Sequence, residues 1–191
     1  MGKGRMEAFS DGVIAIIITI MVLGLTVPHA DSVDALLPLI PIFLSYVLSF
    51  VYVGIYWNNH HHLLHTVQRV DGGVLWANLH LLFWLSLFPF GTAWMGENNF
   101  SAWPVAVYGI IAWCAALAYL ILVRKLIAVN GRDAVLAIAI GRDFKGKLSS
   151  GIYTVAIPLA FVSPWISCAL YVLVALIWFV PDRRIEDRLK Q

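Results

Sequence analysis

Long uncharged apolar stretches, separated by short polar connections, dominate the sequence. No charged residue occurs between Gly12 and Val27, and Pro28 then interrupts the stretch. A run of about 17–25 mainly apolar residues can cross the hydrocarbon core of a bilayer as a helix. The pattern predicts six such spans, at residues 7–27, 36–58, 74–94, 102–123, 148–162 and 165–180. We therefore expect an all-α integral membrane protein whose residues 1–191 form a single six-helix transmembrane domain.

The basic residues fall only in alternate connections. All 13 Lys and Arg residues precede span one, lie between spans two and three or four and five, or follow span six. The other connections carry only acidic charge, at Asp31, Asp34 and Glu97. Because cytoplasmic loops are enriched in Lys and Arg, this segregation predicts a multi-pass protein with both termini in the cytoplasm.

The composition excludes several classes of protein. The chain is 61% hydrophobic and 13% charged, whereas soluble domains average about 25% charged residues. Six spans leave no length for a separate soluble catalytic domain. Phosphate-binding glycine loops, nucleophile elbows and paired catalytic carboxylates are also absent from the sequence. We expect neither an enzyme nor a nucleic-acid partner.

Five of the six histidines lie within a short segment, at His60, His61, His62, His65 and His80. On a helix His61 and His65 share one face, which is a spacing found in metal sites. A haem or metal membrane protein is therefore one alternative. The other is a polar, hydrogen-bonded helix end. Since carboxylates that would complete an iron site are missing nearby, we favour the second interpretation and expect no metal and no cofactor.

Span one carries an ionisable group and an apolar stripe. Asp11 lies at the inner edge of the span, where a carboxylate needs a partner or a water path, and an ion pair with Arg5 is the simplest interpretation. Ile16, Ile20, Leu23 and Val27 share one face of a helix. In most proteins such a stripe contacts lipid or the core, and periodicity alone does not make it a pore.

The motif formed by Arg5, Phe9, Ser10 and Asp11 resembles the opening of the transmembrane protein 175 family of potassium-permeable channels, in its single-repeat prokaryotic form. The likeness continues through Gly12–Leu23, which is similar to the family's pore helix. It also includes 76–90 and 157–164, which are similar to its third and fifth helices. It covers nearly the whole chain.

The resemblance implies a potassium-selective cation channel that carries passive, leak-type potassium transport across the plasma membrane of a prokaryote. The channel would be a homotetramer whose four first helices line a central pore. Ile16, Ile20 and Leu23 would form a hydrophobic constriction, or gate, and Thr19 would offer hydroxyl groups to a partly dehydrated ion. Monovalent cations would be the permeant species, with potassium preferred over sodium.

The same resemblance implies a structural role for Arg5, Phe9, Ser10 and Asp11, which would tie the pore helix to its neighbours. Their plausible partners are Asn58, His60, His61 and Asn78, and the sequence does not choose among them. A small secondary transporter remains an alternative function. The His-ligated haem or metal protein is the other.

Overall fold

The computed structural model describes residues 2–131 and 144–179, and its secondary structure in these ranges is helical, without β-strands. The α-helices are α1 Lys3–Val22, α2 Ile40–His65, α3 Gly72–Ser86, α4 Phe88–Glu97, α5 Ala102–Asn130, α6 Phe144–Leu159 and α7 Pro164–Phe179. A 3-10 helix, Val33–Leu39, leads into α2. The predicted all-α class is confirmed. Val180, the last residue of the sixth predicted span, lies outside the described ranges.

Within the described residues, three helical segments are long and apolar enough to cross a membrane, by length and composition: Val33–His65, Gly72–Glu97 and Ala102–Asn130. They contain α2, the α3–α4 pair and α5. The helix α7 is apolar but shorter. The fourth predicted span, 102–123, continues as helix to Asn130, beyond the apolar stretch from which its end was predicted.

The helix α1 ends earlier than predicted. It stops at Val22, and the amides of Leu23, Gly24 and Leu25 each bond to a carbonyl three residues earlier. Such bonds tighten a last turn. Pro28 then disfavours helical backbone at Val27 and has no N–H to donate. Val27 therefore lies beyond α1. Of the apolar stripe, Ile16 and Ile20 lie within the helix and Leu23 lies at its end.

The third predicted span is two helices rather than one. Pro89 cannot donate to the carbonyl of Leu85, and its ring clashes with that carbonyl in a regular helix. The chain therefore breaks at Leu87, between α3 and α4. The Leu87 amide bonds to Trp84 O at 3.3 Å, and the Thr92 hydroxyl donates to Phe88 O at 2.6 Å. The Leu87 amide and the Phe88 carbonyl, which lie beside the break, thus both have hydrogen-bond partners within the protein.

The helix α5 lies at the centre of the packing, against α3, α4, α6 and α7. Its buried face contains Ala112, Ala115 and Ala118, and small residues let membrane helices approach closely. Buried tyrosines add hydrogen bonds between helices: Tyr52 donates to Tyr171 O at 2.7 Å, and Tyr153 donates to the Tyr52 hydroxyl at 3.0 Å. These bonds connect α2, α6 and α7.

Contacts between connections define two ends of the bundle. At one end the side chain of Asn130 accepts from the amides of Gln68 and Arg69 at 3.0 and 2.9 Å, joining α5 to the α2–α3 connection. At the other end the ring of Phe100 lies 5.1 Å from that of Trp165, joining the α4–α5 connection to the start of α7. The α2–α3 and α4–α5 connections therefore lie at opposite ends of α5.

The helices α6 and α7 form the antiparallel hairpin predicted from Ser163-Pro164. The Trp178 indole donates to the Ser149 hydroxyl at 2.8 Å, and the Ser167 hydroxyl donates to Ala156 O at 2.7 Å. Pro164 begins α7, at the position where its missing N–H costs no helical hydrogen bond.

Candidate functional site

One face of α1 is packed inside the chain. Its buried residues follow helical spacing: Met6, Ser10, Ile14, Ile17 and Met21. The helix packs against α2, α3 and α4. Burial of this face fixes the rotation of α1 about its own axis. The rotation in turn determines which side chains point away from the rest of the chain.

The other face of α1 is uncovered and mainly apolar. Ile16 is 58% exposed, Ile20 47% and Leu23 77%, and Thr19 is exposed on the same side. Phe9 lies on this side as well, at 51% exposure. A contiguous exposed apolar face of this kind is suited to hydrocarbon or to another protein surface. The four residues from the predicted pore lining therefore share one free face of the chain.

Thr19 presents an oxygen acceptor on that face. Its hydroxyl donates to the carbonyl of Ile16 at 2.9 Å. A hydroxyl has a single hydrogen and two lone pairs, so the bond to Ile16 leaves only acceptor capacity. An oxygen with this orientation can contact a cation but has no hydrogen left for an anion.

A buried chain of hydrogen bonds joins α1 to α3 and α2. The Asn78 amide donates to the Ser10 hydroxyl at 2.9 Å, and Asn78 Oδ1 lies 2.8 Å from His60 Nε2. The Ser10 hydroxyl donates its own hydrogen to Met6 O, at 2.8 Å. Ser10, Asn78 and His60 are all at most 2% exposed. Of the four candidate partners, Asn78 thus bonds directly to Ser10 of the motif, and His60 is connected to Ser10 through Asn78.

The hydrogen-bond directions in this chain determine the protonated nitrogen of His60. Because Asn78 uses its NH₂ group on Ser10, its oxygen must accept from His60, and His60 Nε2 must carry a hydrogen. The other ring nitrogen, Nδ1, is buried and has no hydrogen-bond partner in the described part of the chain.

Asp11 is bound by a tryptophan. The indole Nε1 of Trp57, on α2, donates to Asp11 Oδ1 at 3.1 Å. Within residues 2–131 and 144–179, Arg5 makes no ion pair with Asp11, so the simplest interpretation of the sequence is wrong at this point. The Arg5 side chain is exposed. In the same ranges Asn58 makes no side-chain hydrogen bond to the motif.

His61 faces a carboxylate on α1. Its Nδ1 lies 3.4 Å from Glu7 Oε1, and His65 lies beside it with a ring-to-ring distance of 4.4 Å. The expectation that no carboxylate is near the histidines is therefore wrong. Glu7 is far from them in sequence but adjacent in the fold, because α1 and α2 pack side by side.

Trp57 and Glu7 also belong to this region, although neither is among the partners predicted from the sequence. Trp57 has the position of an interfacial anchor, and Glu7 that of a residue at a helix start. A signal was nevertheless present, since Glu7 and Asp11 are spaced i, i+4 on α1, and Trp57 and His61 are spaced i, i+4 on α2. When α1 and α2 pack antiparallel, these two pairs face each other, with Glu7 opposite His61 and Asp11 opposite Trp57.

Comparisons with known proteins place these features in a family. Residues 5–89 match the model of the family described as endosomal/lysosomal potassium channel TMEM175. A protein of Chryseobacterium sp. (strain P1-3) named as a potassium channel is 54% identical over 100% of both chains. A potassium channel of Streptomyces collinus is 36% identical, over 91% of this chain and 90% of its own.

A solved structure is similar over nearly the same length. It is the crystal structure described as a lysosomal potassium-selective channel TMEM175 homolog from Chamaesiphon minutus. Its TM-score is 0.81 and its identity 31%, with 94% of this chain and 97% of that chain covered. The agreement therefore includes both the amino-acid sequence and the arrangement of the helices.

Proposed function

This chain belongs to the TMEM175 family, and we propose that it is a potassium-selective cation channel that works as a passive leak. The family and the bacterial relatives are channels rather than enzymes. The observation that carries the proposal for this chain is the uncovered face of α1, on which Ile16, Ile20 and Leu23 align with the Thr19 oxygen.

The channel is a homotetramer with the four α1 helices around its axis. Each chain supplies one α1, and its packed face is already occupied by α2, α3 and α4. The free face therefore has to meet other copies for a lumen to be enclosed. Phe9 and Arg5, which are exposed in the single chain, are then available to contact neighbouring subunits and complete the role of the motif.

Ile16 forms the narrowest ring, and Ile20 and Leu23 form further apolar rings along the axis. Isoleucine side chains cannot coordinate an ion, but an apolar constriction excludes water and ions when narrow and passes them when slightly wider. Potassium loses hydration water more readily than sodium, so a tight apolar ring favours potassium. The Thr19 hydroxyls, one turn from Ile16, replace part of the lost hydration.

The chain crosses the plasma membrane six times with both termini in the cytoplasm. The segregation of basic residues supports this topology. The two ends of the bundle support it as well, because the Asn130 contact joins the connection that contains Arg69 to the end of α5, which carries Arg124 and Lys125. The Phe100–Trp165 contact joins connections that contain no Lys or Arg.

The alternative of a secondary transporter depends on helices that are broken to expose backbone at an ion site. The break between α3 and α4 does not have that form. Leu85 and Phe88 beside it are 0% exposed, and the Phe88 carbonyl accepts from Thr92. Such a break is filled by apolar side chains rather than open to a permeant ion, which favours the channel.

The haem alternative requires histidines that are free to bind iron. His60 is bonded to Asn78 through Nε2, and His80 Nε2 accepts from the Trp84 indole at 3.0 Å. These bonds give the two histidines structural partners of their own. The remaining cluster of Glu7, His61 and His65 is considered below.

Ion flux from proteoliposomes tests the proposed function. Potassium gradients should drive a larger flux than equal sodium gradients. Ile16→Asn should raise total flux and reduce the preference for potassium, because the polar side chain removes the dewetting barrier. Ile18→Ser, on the same helix but packed partly against the core, is the matched control and should mainly lower stability.

Two results would contradict this proposal. One is an Ile16→Asn protein that stays assembled but keeps the flux and selectivity of the wild type, since α1 would then not line the pore at Ile16. The other concerns the assembly: native mass spectrometry should detect a tetramer, and a monomer or dimer as the sole species would exclude a pore made of four α1 helices.

A further inference from the structure

Three potential metal ligands meet where the start of α1 packs against the end of α2. They are Glu7, His61 and His65, and one ligand atom from each lies within 4.8 Å of the other two. The side chains of His61 and Glu7 are 39% and 24% exposed, and His65 is exposed. Solvent therefore reaches the group, while two of its members are partly held by protein.

The geometry of the group is prepared by neighbouring contacts. His61 and His65 are separated by one helical turn on α2, and Glu7 approaches them from α1. The His61 ring stacks on the Trp57 indole, with centroids 6.2 Å apart and planes at 24°. Trp57 is in turn bonded to Asp11 on α1. Contacts on α1 and α2 thus restrict the orientation of the His61 imidazole.

We propose that Glu7, His61 and His65 bind a zinc ion, or a similar first-row divalent metal, and so connect α1 to α2. Two histidines and a glutamate with a water molecule as fourth ligand form a tetrahedral set that zinc commonly takes. Binding at this site is reversible, and the protein can fold without the metal.

The observed distances fit such a site. With zinc–ligand bonds of about 2.0 Å, neighbouring ligand atoms of a tetrahedron are about 3.3 Å apart. Glu7 Oε1 and His61 Nδ1 are already 3.4 Å apart. The ligand atom of His65 lies within 4.8 Å of the other two, and because the side chain is exposed it can rotate toward them.

Metal binding at this site affects the pore helix directly. Glu7 lies on α1, about two and a half turns before Ile16. A metal held between Glu7 and the two histidines ties the start of α1 to α2 and opposes any movement of α1 that widens the Ile16 ring. Zinc should therefore reduce potassium flux, and this second statement rests on the proposed channel function.

The binding is tested on purified protein without a histidine tag, stripped with a chelator and titrated with zinc against a chromogenic competitor. We expect one zinc per chain in the wild type. Glu7→Gln should weaken the affinity by at least about tenfold, and the His61→Ala, His65→Ala double variant should abolish it. His62→Ala and His29→Ala are matched controls that remove a histidine outside the group and should retain binding.

Two binding results would overturn the site. One is a wild type that takes up no zinc. The other is a folded double variant that binds as tightly as the wild type. Circular dichroism and gel filtration of each variant show that it has kept its fold. If the double variant does not fold, His65→Ala alone provides the test, since His65 is exposed.

The coupling to the pore is tested separately by flux. Zinc added to the cytoplasmic side should lower potassium flux in the wild type and fail to lower it in His65→Ala. Zinc that binds without changing flux would overturn the coupling but not the site. A wild type without any potassium flux would contradict the channel function instead, and it would leave the binding result intact.

Discussion

The side-chain amide of Asn78 donates to the hydroxyl of Ser10 across 2.9 Å, and this bond joins α3 to α1 inside the core. The same amide accepts from His60 on α2. A single asparagine therefore fixes α1 against two helices by polar contacts that are shielded from water. This explains why α1, with its apolar free face, can have a defined rotation.

Removal of Asn78 should destabilise the fold. Asn78→Leu keeps the approximate volume but leaves Ser10 and His60 without their buried partner, and each unsatisfied polar group costs about 1–3 kcal/mol. We expect a clear fall in the melting temperature of the detergent-solubilised protein. Asn98→Ala is the control, since its bond to the Trp94 carbonyl is exposed, and it should change stability by less than about 0.5 kcal/mol. Equal melting temperatures for Asn78→Leu and the wild type would refute the role of the network.

Asp11 should matter for folding and assembly more than for permeation. Its partner Trp57 is partly exposed, so the bond between them contributes modestly, of order 1 kcal/mol. Asp11→Ala and Trp57→Phe should each lower the yield of assembled protein, and the double variant should lose less than the sum because one bond is removed in each case. Gel filtration and thermal denaturation measure these effects. A well-assembled Asp11→Ala protein with altered ion selectivity would indicate direct contact of Asp11 with ions.

The Thr19 oxygen should contribute to selectivity. Thr19→Ala removes an acceptor near Ile16 and should reduce the ratio of potassium to sodium flux without opening the pore as Ile16→Asn does. Thr19→Ser keeps the hydroxyl and its bond to the Ile16 carbonyl, so it should retain most of the ratio. If Thr19→Ala and Thr19→Ser gave the same ratio as the wild type, the hydroxyl would have no part in ion passage.

Gly109 on α5 should tolerate no side chain. A Cβ at this position would overlap the Tyr171 hydroxyl and lie 2.8 Å from Tyr171 Cζ. Tyr171 would have to abandon its 3.1 Å bond to the Val105 carbonyl, and overpacking of this kind costs about 1–3 kcal/mol. Gly54→Ala is the control, because a Cβ there meets no atom within 4 Å and should stabilise α2 by up to about 1 kcal/mol. A substitution of Gly109 by alanine should therefore lower the melting temperature, whereas Gly54→Ala should leave it unchanged or raise it.

Sidedness should follow the basic residues. In a variant without Cys114 and Cys168, a cysteine at Ala30 or Asn99 should react with an impermeant thiol reagent added outside the cell. A cysteine at Gly131 should react only after the cytoplasmic side is opened. Reaction at Gly131 from outside would exclude the proposed topology.

The sequence predicts the helical class and the hairpin well because both depend on local properties. Apolar stretches of sufficient length, together with Ser163-Pro164, are enough to identify them. The break at Leu87 was missed, although Pro89 was visible, because hydropathy averages over a window and does not register a single missing amide. The early end of α1 was missed for a similar reason, since residues up to Val27 stay apolar after the helix has stopped.

The partners of the motif required the fold. The sequence contains several polar residues that could reach Ser10 and Asp11, and their selection depends on how α1 and α2 are rotated against each other. Tryptophan near a span end is commonly an interfacial anchor, so the sequence alone does not point to a hydrogen bond from Trp57. Its indole N–H was free to take a second role, and the helix pairing placed it at Asp11.

The uncovered apolar face of α1 also has implications for subunit association. In water such a face would drive association by the hydrophobic effect, but in a bilayer the lipid tails are as apolar as isoleucine, and that driving force is missing. The subunits of the proposed tetramer would therefore have to recognise one another by close packing and by polar contacts near the membrane surface. The equilibrium between single chains and the assembly should therefore shift toward single chains as the protein is diluted into more lipid. The fraction of conducting channels should decrease when the ratio of protein to lipid decreases, and it should not depend on the total amount of protein at a fixed ratio.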